Sequence, residues 1–167
     1  MYWNFFLDFG PLNLGQLYRF CAKLNDKLRK FPVVCFYSNT LPAKRANASF
    51  LICAWQLLYL NRSPPQAYAG FDTNLLNTLV AAGDTNCSQP PVSGSQGAIT
   101  VGPLPPFHDA SPCVCTYDLS VLDCLDGLQK AKECNFLSHW DHFDVEEYEH
   151  FEQVEVCKGF RFLDILD

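Results

Sequence analysis

The stretch that decides the fold is residues 44–60, whose sequence is KRANASFLICAWQLLYL. Alanine, leucine and glutamine favour helices, and no glycine or proline interrupts this run. Apolar side chains stand at nearly every position from Phe50 onward. A helix that is apolar on all sides belongs inside a protein or inside a membrane. Because Ala46–Leu60 is shorter than the roughly 20 residues that a membrane span needs, it predicts a buried central helix.

Two apolar runs in the amino-terminal part predict strands. Residues 32–37 (PVVCFY) lie between a proline and a Ser-Asn pair, a pattern typical of a fully buried strand. Residues 2–7 (YWNFFL) are short and rich in aromatic side chains, which also favours a strand. Strands alternating with helices indicate an α/β protein with a mixed sheet around the buried central helix.

Further helices follow from capping residues and apolar periodicity. Asn13 is placed to cap a helix, and a short capped helix is predicted for Ser63–Tyr68. A third helix is predicted to start at Thr116-Tyr117-Asp118 and to stop at Asn135. The side chains expected to face inward are Leu14, Leu17, Tyr18, Cys21, Leu24 and Leu28 in the first helix and Leu119, Leu122, Leu125 and Leu128 in the third.

The charge is distributed unevenly along the 167 residues, which carry a net charge of −6. Residues 1–62 hold eight Lys and Arg against two Asp, whereas the remainder holds four basic residues against sixteen acidic ones. An acidic half argues against nucleic acid as a partner and favours a partner with a basic segment. No apolar run is long enough to predict a membrane anchor.

The nine cysteines do not resemble a disulfide framework. Their number is odd, their spacing is irregular, and the chain opens without the pattern of a signal peptide. We therefore expect a reducing, intracellular compartment.

The junction between the predicted strand and the central helix is where a cysteine phosphatase would carry its catalytic loop. That loop requires a cysteine, five residues and then an arginine, so that thiolate and guanidinium flank one phosphate. No cysteine of this chain has an arginine six positions later. The sequence therefore predicts no phosphate-hydrolysing site, and the chain alone is not expected to be an enzyme.

Other catalytic or metal-binding patterns are weak. Cys113-Val114-Cys115 near His108 lacks the two spaced ligand pairs of a structural zinc site. The three histidines His139, His142 and His150 stand among carboxylates and fit a solvated surface. We expect no metal, no cofactor and no catalytic residue.

An acidic segment, Asp141–Glu155, follows near the carboxyl-terminal end. Asp144 and Glu147 have the spacing of a capping box, which predicts that a helix begins there. No lysine or arginine lies between Glu133 and Cys157. Interleaved aromatic residues would let the helix dock one face and present carboxylates on the other. The seven carboxylates of the segment are Asp141, Asp144, Glu146, Glu147, Glu149, Glu152 and Glu155.

Several motifs resemble the cell-division-cycle-fourteen family of dual-specificity protein phosphatases. They are DFGPLNL at 8–14, LYRFC at 17–21, KRANA at 44–48, FHDAS at 107–111, YDLSVLDCL at 117–125 and FDVEEYEH at 143–150. The resemblance covers residues 2–70 and 105–155. It implies the first, non-catalytic domain of two tandem phosphatase-like domains, with the phosphatase fold but without the signature phosphate-binding loop.

The resemblance also implies a role in cell-cycle control. The family removes phosphate from Ser/Thr-Pro sites with a basic residue downstream, which acidic side chains of a linker helix help to recognise. Glu149 and Glu152 match those positions best, and Glu146 and Asp144 are further candidates. The implied partners are phosphoprotein substrates and a phosphatase catalytic domain, in the nucleus, at the centrosome or in the cytoplasm.

The expected organisation is a phosphatase-like domain over 1–143 with a flexible insertion at about 71–103, an acidic linker helix over 144–155 and a tail over 156–167 that departs from the family pattern. Two alternatives stay open. The chain could be part of an active phosphatase whose catalytic domain lies outside it, or a free-standing module that binds basic peptides.

Overall fold

A computed structural model describes residues 8–38, 40–71, 103–110 and 114–152. Within these residues the fold is largely helical with one small sheet, a composition compatible with the α/β class. The helices are α1 (Leu14–Lys30), α2 (Pro42–Leu60), α3 (Pro64–Tyr68), α4 (Val121–Glu133) and α5 (145–152), with 3-10 turns at Ala69–Phe71 and Trp140–His142, and the strands are β1 (Phe107–His108) and β2 (Asp118–Leu119).

The chain divides into two compact units. The first contains residues up to Pro11 and those from Tyr37 to Gln129, and the second contains Leu12–Phe36 and the residues from Lys130 onward. The division falls within α4, so this helix contributes residues to both. No helix in the described ranges is long and apolar enough to cross a membrane.

Helix α2 provides most of the buried side chains of the first unit. The predicted helix is confirmed, but its burial is confined to one face rather than complete. Phe50, Cys53 and Leu57 are buried, whereas the opposite face is half-buried and Leu60 is exposed. The buried positions recur at three- and four-residue intervals, as expected for one stripe of a helix. The large apolar side chains of α2 that are half-buried are Leu51, Ile52, Trp55, Leu58 and Tyr59.

The end of α2 leads directly into α3. Asn61 adopts a left-handed backbone conformation (φ 52°), which ends the helix. Ser63 then begins α3 as predicted, since its backbone N–H donates to Oε1 of Gln66 at 3.1 Å. The Cys53 thiol donates to the carbonyl oxygen of Ala67 at 3.2 Å, which links the two helices.

The sheet of the first unit is small and antiparallel. Phe107 pairs with Leu119 and His108 pairs with Asp118. On the other side of His108, Phe9 forms a bridge through backbone hydrogen bonds of 3.0 and 2.8 Å. Phe107 is buried, and its ring centroid lies 5.0 Å from that of Phe9.

Helix α4 begins at Val121, so the predicted start at Thr116-Tyr117-Asp118 is wrong. Asp118 and Leu119 pair with β1 instead, and Ser120 caps the helix. The Asp123 N–H donates to Ser120 Oγ at 3.1 Å, and the Ser120 N–H donates back to Asp123 Oδ2 at 2.7 Å. Leu125 and Leu128 are buried as predicted.

The predicted stop at Asn135 is confirmed. Asn135 has a φ of 62°, and its N–H donates to the carbonyl oxygen of Lys132 at 3.1 Å. The Phe136 N–H donates to the carbonyl oxygen of Ala131 at 3.0 Å. These two bonds form a Schellman motif, in which asparagine tolerates the left-handed conformation better than most residues do.

The predicted buried strand at residues 32–37 is wrong. This segment is irregular, and Val33 and Tyr37 are 82% and 86% exposed. A strand needs a neighbour for its backbone hydrogen bonds, and no described residue forms a ladder with this segment. The predicted strand at 2–7, residues 72–102 of the predicted insertion and the tail at 156–167 lie outside the described residues.

In the second unit, α1 begins as predicted at Asn13, whose Oδ1 accepts from the Gln16 N–H at 2.9 Å. Leu17 and Cys21 are buried on its apolar face. Four aromatic rings, which we call the aromatic cluster, then join α1 to the segment before α5 and to α5 itself. The neighbouring ring centroids lie 5.2–5.6 Å apart, within the range of favourable aromatic pairs. The cluster consists of Tyr18, Trp140, Phe143 and Tyr148.

Candidate substrate-docking site

The acidic helix predicted from the sequence is α5, and its start is fixed by Asp144. Oδ1 of Asp144 accepts from the Glu147 N–H at 2.9 Å, which confirms Asp144 as the N-cap. The aromatic cluster holds the same turn against α1, because both Phe143 and Tyr148 belong to it. The four carboxylates predicted to dock substrate, Asp144, Glu146, Glu149 and Glu152, therefore stand on one anchored helix.

Glu149, one of the two best candidates, is paired with a residue of α1. Nη1 of Arg19 lies 2.6 Å from Oε1 of Glu149, and Nη2 donates to Oε2 at 2.9 Å. This is the two-point geometry that a guanidinium forms with a carboxylate. Both side chains keep substantial contact with solvent, so the pair contributes only modestly to stability.

Glu152, the other best candidate, also bonds within the second unit. Its Oε2 accepts from Nδ2 of Asn13 at 2.7 Å, and its Oε1 accepts from the Tyr148 hydroxyl at 2.8 Å. Burial, together with the neighbouring Glu152 carboxylate, raises the pKa of Tyr148 to about 12. The amide of Asn13 thus caps α1 with its oxygen and holds α5 with its nitrogen.

Close packing accompanies these polar contacts. A Cβ atom placed on Gly15 would come within 3.2 Å of Cδ1 of Tyr148, which is tighter than ordinary packing allows. Glycine at this position therefore lets the ring of Tyr148 approach the first turn of α1.

The remaining two candidates, Asp144 and Glu146, are exposed. The Glu146 carboxylate has no ion pair or hydrogen bond with any described residue. The structure thus separates the four predicted residues into an engaged pair, Glu149 and Glu152, and an exposed pair. The partners Arg19 and Asn13 were missed as site residues, because the helical period assigned Arg19 to a solvated face and the capping pattern assigned Asn13 only to a cap.

A groove lies along another face of α5 and was not predicted. It has a volume of about 410 Å³ and is lined by Asp144, Glu147, Tyr148 and Phe151 of this helix and its cap, together with residues of the preceding segment. Phe136 and Phe151 are 82% and 59% exposed. The residues contributed by the preceding segment are Phe136, Leu137, His139, Trp140, His142 and Phe143.

Three of the described cysteines, Cys21, Cys53 and Cys124, do not have the environment of a nucleophile. Burial raises the pKa of Cys21 and of Cys53 to about 12, and burial together with the Asp123 charge raises that of Cys124 to about 11. A nucleophilic cysteine needs the opposite shift, toward the thiolate. Nor do three His, Cys, Asp or Glu side chains converge as a metal site anywhere in the described ranges.

Comparison with known protein families shows which family this chain belongs to. Residues 1–91, more than half of the chain, match the family described as dual specificity protein phosphatase, N-terminal half. The chain belongs to this family. The resemblance drawn from the sequence motifs is therefore confirmed.

Similar proteins carry the names of cell-division-cycle phosphatases. The chain is 42% identical over 159 residues to dual specificity protein phosphatase CDC14AB of Danio rerio and 40% identical over 159 residues to CDC14A of Homo sapiens. It is 30% identical over 158 residues to tyrosine-protein phosphatase CDC14 of Saccharomyces cerevisiae. Each match covers 92–93% of this chain but only 22–24% of the relative, so the chain spans about a quarter or less of their length.

Proposed function

We propose that this chain is a non-catalytic substrate-docking and scaffolding domain for a dual-specificity protein phosphatase that acts on Ser/Thr-Pro phosphosites in cell-cycle control. The observation that carries the proposal is membership of the N-terminal-half family in a chain that has no cysteine followed by an arginine six positions later. Without that pair, the thiolate and guanidinium of cysteine-dependent phosphate hydrolysis cannot surround one phosphate.

The environments of the thiols support the non-catalytic part of the proposal. Cys21 and Cys53 are buried, and burial stabilises the neutral thiol against the thiolate. Cys35 is exposed in an irregular segment, and Arg45 is not six but ten positions further on, inside α2. Cys35 and Arg45 therefore lack the spacing that a phosphate-binding loop requires.

The charge of α5 supports the docking part. No lysine or arginine lies between Glu133 and Cys157, so the negative charges of this segment have no basic neighbour in sequence. We assign recognition of a basic residue downstream of the phosphosite to Glu149 and Glu152, with Glu146 and Asp144 in support. A peptide cation would have to exchange with Arg19 for the Glu149 carboxylate. Docking is therefore expected to be weak and sensitive to salt.

The proposal extends to the organisation of the domain. We assign residues 1–143 to a phosphatase-like α/β domain with a mixed sheet and no signature loop, residues 144–155 to the linker helix and residues 156–167 to a divergent tail. Its partners are phosphoprotein substrates and a phosphatase catalytic domain, in the nucleus, at the centrosome or in the cytoplasm.

One alternative is favoured by a specific observation. The relatives are named phosphatases, and this chain spans only 22% of the length of CDC14A. The domain could therefore act within an active phosphatase whose catalytic domain lies outside this chain. Under both hypotheses this chain binds the substrate, and a different domain hydrolyses the phosphate.

The test is a titration of the chain with a phosphoSer-Pro-x-Lys peptide at low and at physiological salt. A Glu149→Gln, Glu152→Gln double variant keeps hydrogen-bonding groups for Asn13 and Tyr148 but removes both charges. We expect affinity to fall by about two- to fivefold at low salt and the difference to shrink as salt rises. Equal binding by both proteins at low salt would remove these carboxylates from the proposal, and a peptide with Gln in place of Lys is the matched control.

A further inference from the structure

Helix α5 presents two different faces. Glu149 and Glu152 bond to Arg19 and Asn13 of α1, whereas Glu147 and Phe151 line the groove described above. This aromatic groove, formed by residues 136–151, lies wholly within the second unit. Of the four carboxylates that the proposed function assigns to phosphosite docking, Asp144 alone lines this groove, whereas Glu146, Glu149 and Glu152 do not.

We propose that the aromatic groove binds a short partner segment in which a large apolar side chain stands next to a lysine or arginine. We infer the apolar side chain of the partner segment from the exposed aromatic rings of the groove. Phe136 and Phe151 are 82% and 59% exposed although both line a concave surface. Large aromatic residues kept in contact with water in a groove are typical anchors of an interaction site.

We infer the lysine or arginine of the partner segment from the negative charge at the groove. Asp144 and Glu147 are exposed at the groove, and neither lysine nor arginine is among its lining residues. Oδ1 of Asp144 accepts from the Glu147 N–H, which leaves the carboxylate charge in place at the groove. A cationic side chain beside the apolar anchor is complementary to this arrangement. Two histidines, His139 and His142, also line the groove and contribute polar ring nitrogens to its lining.

The size of the groove also fits a single anchored segment. A volume of about 410 Å³ lies at the lower end of the range of ligand sites and accommodates one or two side chains rather than a folded surface. A second copy of the same face would bring Asp144 and Glu147 toward like charges, which disfavours self-association through this surface.

The test measures binding of a fluorescent, unphosphorylated peptide, Gly-Ser-Lys-Phe-Lys-Ser-Gly, to the whole chain by anisotropy. We expect Phe151→Ala and Phe136→Ala each to weaken binding by about fivefold or more, since each removes an anchor contact. Glu147→Gln should weaken binding by about two- to threefold at low salt, with the difference shrinking at physiological salt. Replacing the phenylalanine of the peptide by alanine should abolish binding.

The matched controls are Asp141→Asn, an exposed carboxylate of the same acidic segment that does not line the groove, and Tyr37→Ala, an exposed aromatic residue elsewhere. Both should bind the peptide like the unchanged chain. Wild-type affinity in Phe151→Ala and Phe136→Ala, or equal losses in Asp141→Asn and Glu147→Gln, would overturn the proposal. Concentration-dependent dimerisation that Phe151→Ala abolishes would also overturn it, because the occupant would then be a second copy. Since the peptide carries no phosphate, failure of this test leaves phosphosite docking through Glu149 and Glu152 untouched.

Discussion

Helices α2 and α5 differ in what holds them in place. α2 buries an apolar stripe that includes Phe50, Cys53 and Leu57. α5 is held by a bidentate ion pair, by the hydrogen bond from Asn13 to Glu152 and by contacts between aromatic rings, and it leaves carboxylates and a phenylalanine in contact with solvent. Apolar burial contributes stability that salt hardly changes, whereas exposed ion pairs can exchange partners. We therefore assign stability chiefly to α2 and recognition to α5.

The largest effect is expected in the core of the first unit. Leu57→Ala should lower the free energy of unfolding by about 2–5 kcal/mol, because it removes a fully buried side chain and leaves a cavity. Urea unfolding followed by circular dichroism measures this loss. Leu60→Ala, three residues further on α2 but exposed, is the control and should cost less than about 1 kcal/mol. Similar losses for both variants would contradict the one-sided burial of α2.

Alkaline pH should weaken the same core through its thiols. Burial raises the pKa of Cys53 from 9.0 to about 12, so the unfolded chain loses this proton first as the pH rises. The stabilisation is complete below about pH 9 and is lost between pH 9 and 12, at ~1.4 kcal/mol per pH unit. Denaturant unfolding of Cys53→Ala from pH 8 to 11 should therefore show a shallower decline than the unchanged chain. Identical slopes would mean that the thiol does not titrate differently on unfolding.

A smaller effect is expected at Asn13, which caps α1 and also bonds Glu152. Asn13→Ala loses both interactions and should destabilise the chain by about 1–2 kcal/mol. Asn13→Ser keeps a capping oxygen but cannot donate from an amide to Glu152, so its loss should be intermediate. Thermal unfolding of the two variants separates the cap from the contact to α5. Equal stabilities of Asn13→Ser and the unchanged chain would show that the bond to Glu152 contributes nothing measurable.

The smallest effect on stability is expected at Arg19. Arg19→Gln should cost only about 0.2–1 kcal/mol, because the ion pair with Glu149 is partly exposed, and the cost should decrease with salt. The same variant releases Glu149 from its internal partner and should bind a basic peptide more tightly at low salt. Lys23→Gln, an exposed cation on α1 without an ion pair among the described residues, is the control. Weaker peptide binding by Arg19→Gln would show that Arg19 itself supports docking.

Local signals in the sequence predicted helix ends better than they predicted burial. The caps at Asn13, Ser63 and Asp144 and the stop at Asn135 depend on side chains and dihedral angles within a few residues, and all four are confirmed. The helical conformation of residues 46–60 was also predicted correctly, because a helix satisfies its own backbone hydrogen bonds, but its burial on all sides was not.

The errors arose where distant partners decide the structure. Residues 32–37 are as apolar as a core strand, but apolar composition does not supply the neighbouring strand that such a segment needs. The strand at Asp118–Leu119 forms by pairing with Phe107–His108. The helical spacing of Leu119 with the leucines that follow it predicted a helix at these residues instead. The candidate carboxylates could be predicted from charge and resemblance. The pairing of Glu149 with Arg19 and of Glu152 with Asn13 could not, because it depends on how α5 packs against α1. The aromatic groove likewise depends on tertiary packing.

The measurement that most directly tests the central claim is ³¹P NMR of a phosphoSer-Pro-x-Lys peptide mixed with the chain at low salt. The proposal predicts that the peptide phosphate resonance shifts or broadens as the chain is added, while no inorganic phosphate accumulates. A resonance unaffected by the chain would contradict docking. Accumulation of inorganic phosphate that stops in a Cys35→Ser variant would contradict the assignment of this domain as non-catalytic.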